Sequence, residues 1–309
     1  MAFNIAVHPW IAKHGLLCLT TASLWFGQNS SAVFWSQPHM TMRNHHRKFG
    51  WKPNLPHHKD KKYAAHKEML APPFVLPPLV DLRTEMSPIE NQGQLGSCVA
   101  HATVGTLEFL ELQELKDGKG GKEVFPNNQF DNISRLFVYY NARALDGSQY
   151  QDDGTTLRNA VTAIQKWGIC QEVNWAYIET NVNVTPPSVA YKEGARHLLL
   201  NHYSLDNTQM VQLKYCLAVG YPFIFGATIY DSFMSDTVAL TGIVPMPSDT
   251  DNMQGGHALC CVGYDDSKNA FIIRNSWGTG WGLAGYCYMP FNMLNNPDLC
   301  SDFWTLRKE

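Results

Sequence analysis

Four side chains of this 309-residue chain carry the means for acyl transfer by a thiol. Cys98 closes the run Gln92-Gly93-Gln94-Leu95-Gly96-Ser97-Cys98, His257 follows Gly255-Gly256, and Asn275 lies in Arg274-Asn275-Ser276-Trp277-Gly278. A thiol supplies a nucleophile and an imidazole takes and returns its proton. One amide orients that imidazole, and a second donates to a developing oxyanion. A lone cysteine is ordinarily a small buried hydrophobe. Cys98 reads differently because Gly96 and Ser97 flank it at a helix start and the other three groups are available.

Apolar positions at 99, 102, 106/107 and 110 predict an amphipathic helix beginning at Cys98. Unpaired N–H groups at a helix N-terminus favour a thiolate, and a neighbouring imidazolium would lower the cysteine pKa further. The nucleophile is therefore expected to be charged at rest. Gln92 reaches back across the Gly-rich turn, so its side-chain N–H and the Cys98 backbone N–H would face the oxyanion together.

Downstream, short β-branched and aromatic runs at 222–229, 258–264, 270–274 and 285–289 alternate with Asp, Asn and Gly turns and predict strands. His257 is expected to open one strand and Asn275 to close its neighbour across the 264–269 hairpin, bringing ring and amide side by side. His257 would act as general base and then general acid, with Asn275 fixing its tautomer. Trp277 and Trp281 would shield that hydrogen bond or serve as core aromatics. Between 98 and 180 helical patterns dominate, at 136–143 and at 156–166, the latter stopped by Trp167-Gly168.

These motifs, with Phe49-Gly50-Trp51-Lys52-Pro53-Asn54-Leu55-Pro56, Leu76-Pro77-Pro78-Leu79-Val80-Asp81-Leu82-Arg83, Asp153-Gly154 and Ser301-Asp302-Phe303-Trp304, make the chain from about residue 49 onward resemble the papain family of cysteine peptidases. The likeness is to its cathepsin-like branch in bacteria, archaea and large viruses. It implies an α+β, papain-like two-domain fold: a helical left lobe at about 86–180, an antiparallel β-sheet or barrel right lobe at about 181–309, and an N-terminal pro-segment. It also implies that Asp153 and Gly154 belong to a substrate-binding wall that pairs with an extended peptide, although Asp-Gly before a helix also suits an ordinary N-terminal turn. Thr156, Gly255, Gly256 and Ala258 would line the adjoining S2 side without charge, and Trp277 joins the substrate-binding set. Leu95 stands where animal and plant members have a cysteine, and Val99 where they have an aromatic, so the usual disulfide beside the nucleophile cannot form. Paired histidines like those that close the cleft in dipeptide-trimming relatives do not occur after Cys98, which favours endopeptidase action.

With 45% hydrophobic residues, the chain can bury one large two-lobed core at 76–309. Residues 1–75, the leader or pro-segment, hold nine Lys/Arg against two acids, a net +7; the total of −3 leaves −10 on residues 76–309. A basic leader on an acidic body suggests intramolecular docking as an inhibitor, although an acid-poor leader also suits an import receptor or a polyanion. Scission in the Pro-rich hinge at 71–78 would release the mature enzyme. His39, His45, His46, His57, His58 and His66 admit a metal tract, although their irregular spacing suits a solvated basic arm better; charging near pH 6, they would alter docking.

Residues 15–27 have the length of a signal-peptide core but polar interruptions, and are too short to cross a bilayer. That segment points to secretion, whereas the missing disulfide partner at Leu95 points to an intracellular or virion-associated setting, and the compartment stays open. Asp117-Gly118-Lys119-Gly120-Gly121-Lys122 lacks P-loop spacing. The expectations are a cysteine endopeptidase made as a latent zymogen, with polypeptide substrates, no cofactor, no metal, no nucleic-acid partner and no transmembrane segment. A papain-fold acyl transferase and a catalytically silent binding module are the rivals.

Overall fold

The structure is a computed structural model that describes residues 47–55, 57–63, 75–117, 132–195 and 201–307. The signal-like stretch at 15–27, four of the six clustered histidines, hinge residues 71–74 and residues 118–122 of the glycine-rich run lie outside the described residues.

Helix α1, Cys98–Lys116, forms the spine. It is buried on every side from Cys98 to Glu111, so the expected amphipathic pattern gives way to a central helix packed between the two lobes. Several of its buried polar side chains are satisfied internally: Thr103 and Thr106 donate to the carbonyls of Val99 and Ala102, one turn back. Glu108 meets Arg135 at 2.8 Å and accepts from Ser87 Oγ at 2.6 Å and the Ile133 N–H at 3.0 Å. Helices α2 (Arg135–Ala144) and α3 (Leu157–Trp167) pack on one flank. Ser134 and Thr156 cap them by accepting from Phe137 and Asn159 N–H groups, and Gly168, at φ +73°, ends α3.

On the other flank stands an antiparallel sheet in the order β2 (Asn201–Ser204), β7 (Cys300–Arg307), β3 (Phe223–Tyr230), β4 (Met253–Asp265), β5 (Ala270–Arg274), β6 (Tyr286–Pro290). Strand β1 (Leu79–Asp81) joins β4 beyond the reach of β3. Two apolar cores result: one joins α1 to the sheet through Ile224, Ala258, Cys260 and Ile272, and the other fills the opposite face with Phe223, Phe225, Phe271 and Phe303. His257 lies four residues inside β4 rather than at its start, because pairing with β3 extends the ladder back through Gly255 and Gly256. Asn275 follows the last residue of β5 directly.

The α+β papain-like division is therefore present. The seven described cysteines are all free and buried, and Leu95 is packed into the first core.

Candidate active site

Cys98 is the first residue of α1, and its sulfur accepts from the Ala258 N–H of β4 at 3.4 Å. The helix start and the strand therefore meet at the residue next to His257. His257 Nε2 lies 2.8 Å from Asn275 Oδ1, and that oxygen also accepts from the Ser276 N–H at 2.8 Å. Since Oδ1 can only accept, Nε2 carries the proton and Nδ1 holds a lone pair. Nδ1 is buried and has no hydrogen-bond partner among the described residues. Trp277 stacks on the imidazole, with centroids 5.0 Å apart and 26° between planes, and covers the His257–Asn275 bond. Trp281 and Phe233 pack behind Trp277.

Gln92 is fully buried. Its Oε1 accepts from Ser276 Oγ at 2.6 Å, which fixes the amide, and its Nε2 donates to Leu95 O at 2.8 Å and to Lys48 O at 3.1 Å. Lys48 belongs to the N-terminal segment, and its neighbours thread the same cleft. Gly50 O accepts from Thr155 N–H at 2.8 Å, Lys52 N–H donates to Thr155 O at 3.0 Å, and Trp51 N–H donates to Gly256 O at 3.0 Å. Trp51 and Thr155 pair in parallel. Phe49 sits edge-on to His257 at 6.0 Å, the Arg47 guanidinium lies 4.7 Å above Trp277, and Lys48 meets Asp152 at 2.8 Å. The segment then passes α3, where Asp60 meets Arg158 at 2.7 Å, and reaches the sheet, where Lys62 bridges to Ser204 of β2.

This docking sets the electrostatics. Burial pushes the Cys98 thiol up, against the backbone N–H groups of Ala258, Gly50, Val99 and Cys98 itself, which favour the thiolate. Burial pulls His257 down to about 4, partly offset by Asn275, with Arg47 lowering it further. The expected resting ion pair is thus absent while the segment is docked: desolvation outweighs the helix terminus.

Of the wall residues, Gly154 faces Gly50 so closely that any Cβ there would overlap the Gly50 backbone. Its N–H donates to Tyr139 Oη at 3.0 Å. Asp153 is exposed and Thr156 caps α3. Their neighbours Asp152 and Thr155 do the anchoring: Asp152 accepts from Tyr139 Oη at 2.6 Å and Gly96 N–H at 3.1 Å, and Thr155 pairs with the segment. An acid and a β-branched residue flanking Asp153-Gly154 were the signal for them. Gly256 and Ala258 both border the cleft, as above.

Behind Asn275 lies a cavity of about 10 Å³, room for roughly one water, bordered by His101, Arg135, Arg274 and Asn275. Burial and Arg135 hold His101 down to about 3, so its ring is neutral.

A model of the papain family cysteine protease matches residues 143–301, half of the chain, including His257 and Asn275. The chain belongs to the papain family of cysteine proteases. Its relatives include an uncharacterized peptidase C1-like protein, L477, of Acanthamoeba polyphaga mimivirus, 36% identical over 242 residues, covering 76% of this chain and 74% of that one. Cysteine proteinase 3 of Dictyostelium discoideum is 26% identical over 282 residues, covering 88% and 77%. Among solved structures, xylellain, a cysteine protease from Xylella fastidiosa, is similar at a TM-score of 0.75 and 32% identity, covering 85% of this papain-family chain and 98% of that one. No described helix is long and apolar enough to cross a membrane.

Proposed function

We propose that this papain-family peptidase is an endopeptidase held latent by its own residues 47–63, with Cys98, His257, Asn275 and Gln92 as its machinery. The observation that carries the reading is that these four side chains converge on one cleft while a backbone segment of the same chain runs through it.

With the cleft open, water reaches the pair, the desolvation that neutralises it is relieved, and His257 Nδ1 takes the Cys98 proton. The thiolate adds to the scissile carbonyl carbon; the oxygen becomes an oxyanion and accepts from Gln92 Nε2 and the Cys98 N–H. His257 passes its proton to the leaving nitrogen, the C–N bond breaks, and a thioester remains. Water, deprotonated by His257, then adds to the thioester and the C–S bond breaks, releasing acid and thiol. Asn275 holds the ring in the tautomer this requires.

Latency has two sources. The Lys48 carbonyl takes the Gln92 donor that an oxyanion needs, and the buried segment leaves thiol and imidazole both neutral. The test is product analysis on peptides with an added primary amine. Hydrolysis products, lost in Cys98→Ala, support the peptidase. Amide products exceeding acid at modest amine concentration support a transferase instead. No product from a chain freed of its segment, with Cys98 still unreactive toward a peptidyl electrophile, supports a binding module.

A further inference from the structure

Around the cavity behind Asn275, three buried polar atoms have no hydrogen-bond partner among the described residues: His101 Nε2, Arg135 Nε and Asn275 Nδ2. Their residues are 5%, 2% and 3% exposed, and all three border that cavity of about 10 Å³, together with Glu90 and Arg274. The tautomer of His101 follows from its other nitrogen. Tyr177 Oη donates to the Gln92 carbonyl at 2.9 Å, so Ser97 Oγ, 2.6 Å away, donates to Tyr177. His101 Nδ1 lies 3.1 Å from the Ser97 carbonyl and 3.3 Å from Ser97 Oγ, and accepts from neither. Nδ1 therefore carries the proton, and Nε2 presents a lone pair.

Two donors, Arg135 Nε and Asn275 Nδ2, and one acceptor, His101 Nε2, thus belong to the walls of a space that fits one water. A water satisfies all three by accepting twice and donating once, and Glu90 on the same wall can take its second proton. A chloride ion would suit the two donors but meet the His101 lone pair and Glu90 with like charge. We propose that His101 is a positioning residue for the acyl transfer: through one internal water it holds the Asn275 amide in the orientation that serves His257. The inference rests on the peptidase reading of that site.

With both protons given to His101 and Glu90, the water turns its lone pairs to Arg135 and Asn275. Nδ2 is then held toward the cavity and Oδ1 toward His257 Nε2, where the Ser276 N–H meets the same oxygen at 2.8 Å. Without the acceptor on His101 the water loses the bond that orients it, and a buried amide left with an unpaired N–H holds the ring less firmly. The imidazolium then gives up its proton at a lower pH. The other ionisable groups around His101 are Arg135, Arg274, Glu90, His257, Tyr177 and the Cys260 thiol. Burial pushes Cys260 up to about 11 and raises Tyr177 as well, so an alkaline limb below that range belongs to the Cys98–His257 pair.

The experiment uses the processed chain, with His101→Leu to remove the acceptor and His101→Gln to restore one near the place of Nε2. Both variants lose the bond to Ser97, so the acceptor toward the cavity is what separates them. The readout is the alkaline limb of kcat/KM against pH, which reports the free enzyme. His101→Leu is expected to move that limb down by ~1 pH unit and to lower kcat/KM about tenfold, and His101→Gln to stay within about threefold of the unsubstituted chain. A crystal structure of the full-length Cys98→Ala chain tests the water apart from activity. Density for one water bonded to His101 Nε2, Arg135 Nε and Asn275 Nδ2 is expected; an unfilled cavity, or an anomalous peak there after a bromide soak, overturns the inference. An alkaline limb unmoved in His101→Leu, or moved as far in His101→Gln, with peptide still cut, also overturns it and leaves the peptidase standing. Failure of the unsubstituted processed chain to cut any peptide removes the peptidase reading and the positioning role with it, whatever the crystal shows.

Discussion

Gln92 donates its Nε2 proton to the carbonyl oxygen of Lys48 at 3.1 Å. The amide proposed to bind an oxyanion is thus engaged by a carbonyl of the chain's own N-terminal segment. In the processed enzyme Gln92→Ala should lower kcat by about 10²–10³ with little change in KM, because the contact forms only as charge develops on oxygen. Steady-state kinetics on one fluorogenic peptide checks this; a change confined to KM would assign Gln92 to ground-state binding.

Gly50 has no room for a side chain: a Cβ there would run into the Gly96 carbonyl, and both partners are backbone. Gly50→Ala should loosen the segment and leave the body intact. The full-length variant is expected to cut peptide at least ~10-fold faster than full-length wild type before any processing, since an overpacked contact of this kind costs about 1–3 kcal/mol. Equal rates would mean that the segment does not control access.

Acid should release the segment. Docking holds His257 down to about 4, below its ordinary 6.5, and raises the Cys98 thiol, so near neutrality both forms carry one proton on the pair and the docked form binds fewer only in acid, where the open thiolate is itself protonated. Docking strength therefore holds through neutrality and is lost in acid as pH falls toward 4. Asp302, which accepts from Trp51 Nε1 and the Asn54 N–H, works the other way, since burial raises its carboxyl above the usual 3.8. A peptide spanning residues 47–63 should inhibit the processed enzyme on the order of tenfold more weakly at pH 4.5 than at pH 7. A flat inhibition constant across that range contradicts the assignment. Of the clustered leader histidines to which the sequence pointed for this effect, His57 and His58 are exposed and the other four lie outside the described residues; His257 and His202 are rings that burial, together with Arg47 and Lys61 of the segment, pulls down.

Glu108 and Arg135 form a buried pair between α1 and α2, with side chains 0% and 2% exposed. Glu108→Ala leaves a buried guanidinium without its carboxylate and should destabilise the fold by about 3–5 kcal/mol. Denaturant unfolding of the variant measures this; a loss under 1 kcal/mol would show that Arg135 finds another partner.

Local chemistry made much of this readable in the sequence. Cysteine at a helix start after a glycine-rich turn, a helix stopped at Trp167-Gly168, and a hairpin carrying His257 and Asn275 are all short-range features, and each stands close to where its residues put it. What escaped depended on contacts between distant segments. The polar positions of α1 gave a false amphipathic pattern because Glu108 and Thr103 are satisfied inside the core. Asp302 joins the cleft only through the β3–β7 pairing. The neutral state of Cys98 and His257 depends on burial by residues some fifty positions before the cysteine, which no helix-terminus argument contains.

The most direct measurement is the rate at which one preparation of the chain cuts a fluorogenic peptide before and after scission between residues 63 and 79, with Cys98→Ala treated identically. The account predicts a slow or absent rate before scission, a rise of at least ~10² after it, and none at either stage in Cys98→Ala. Equal rates before and after scission, or cutting that survives Cys98→Ala, would contradict it.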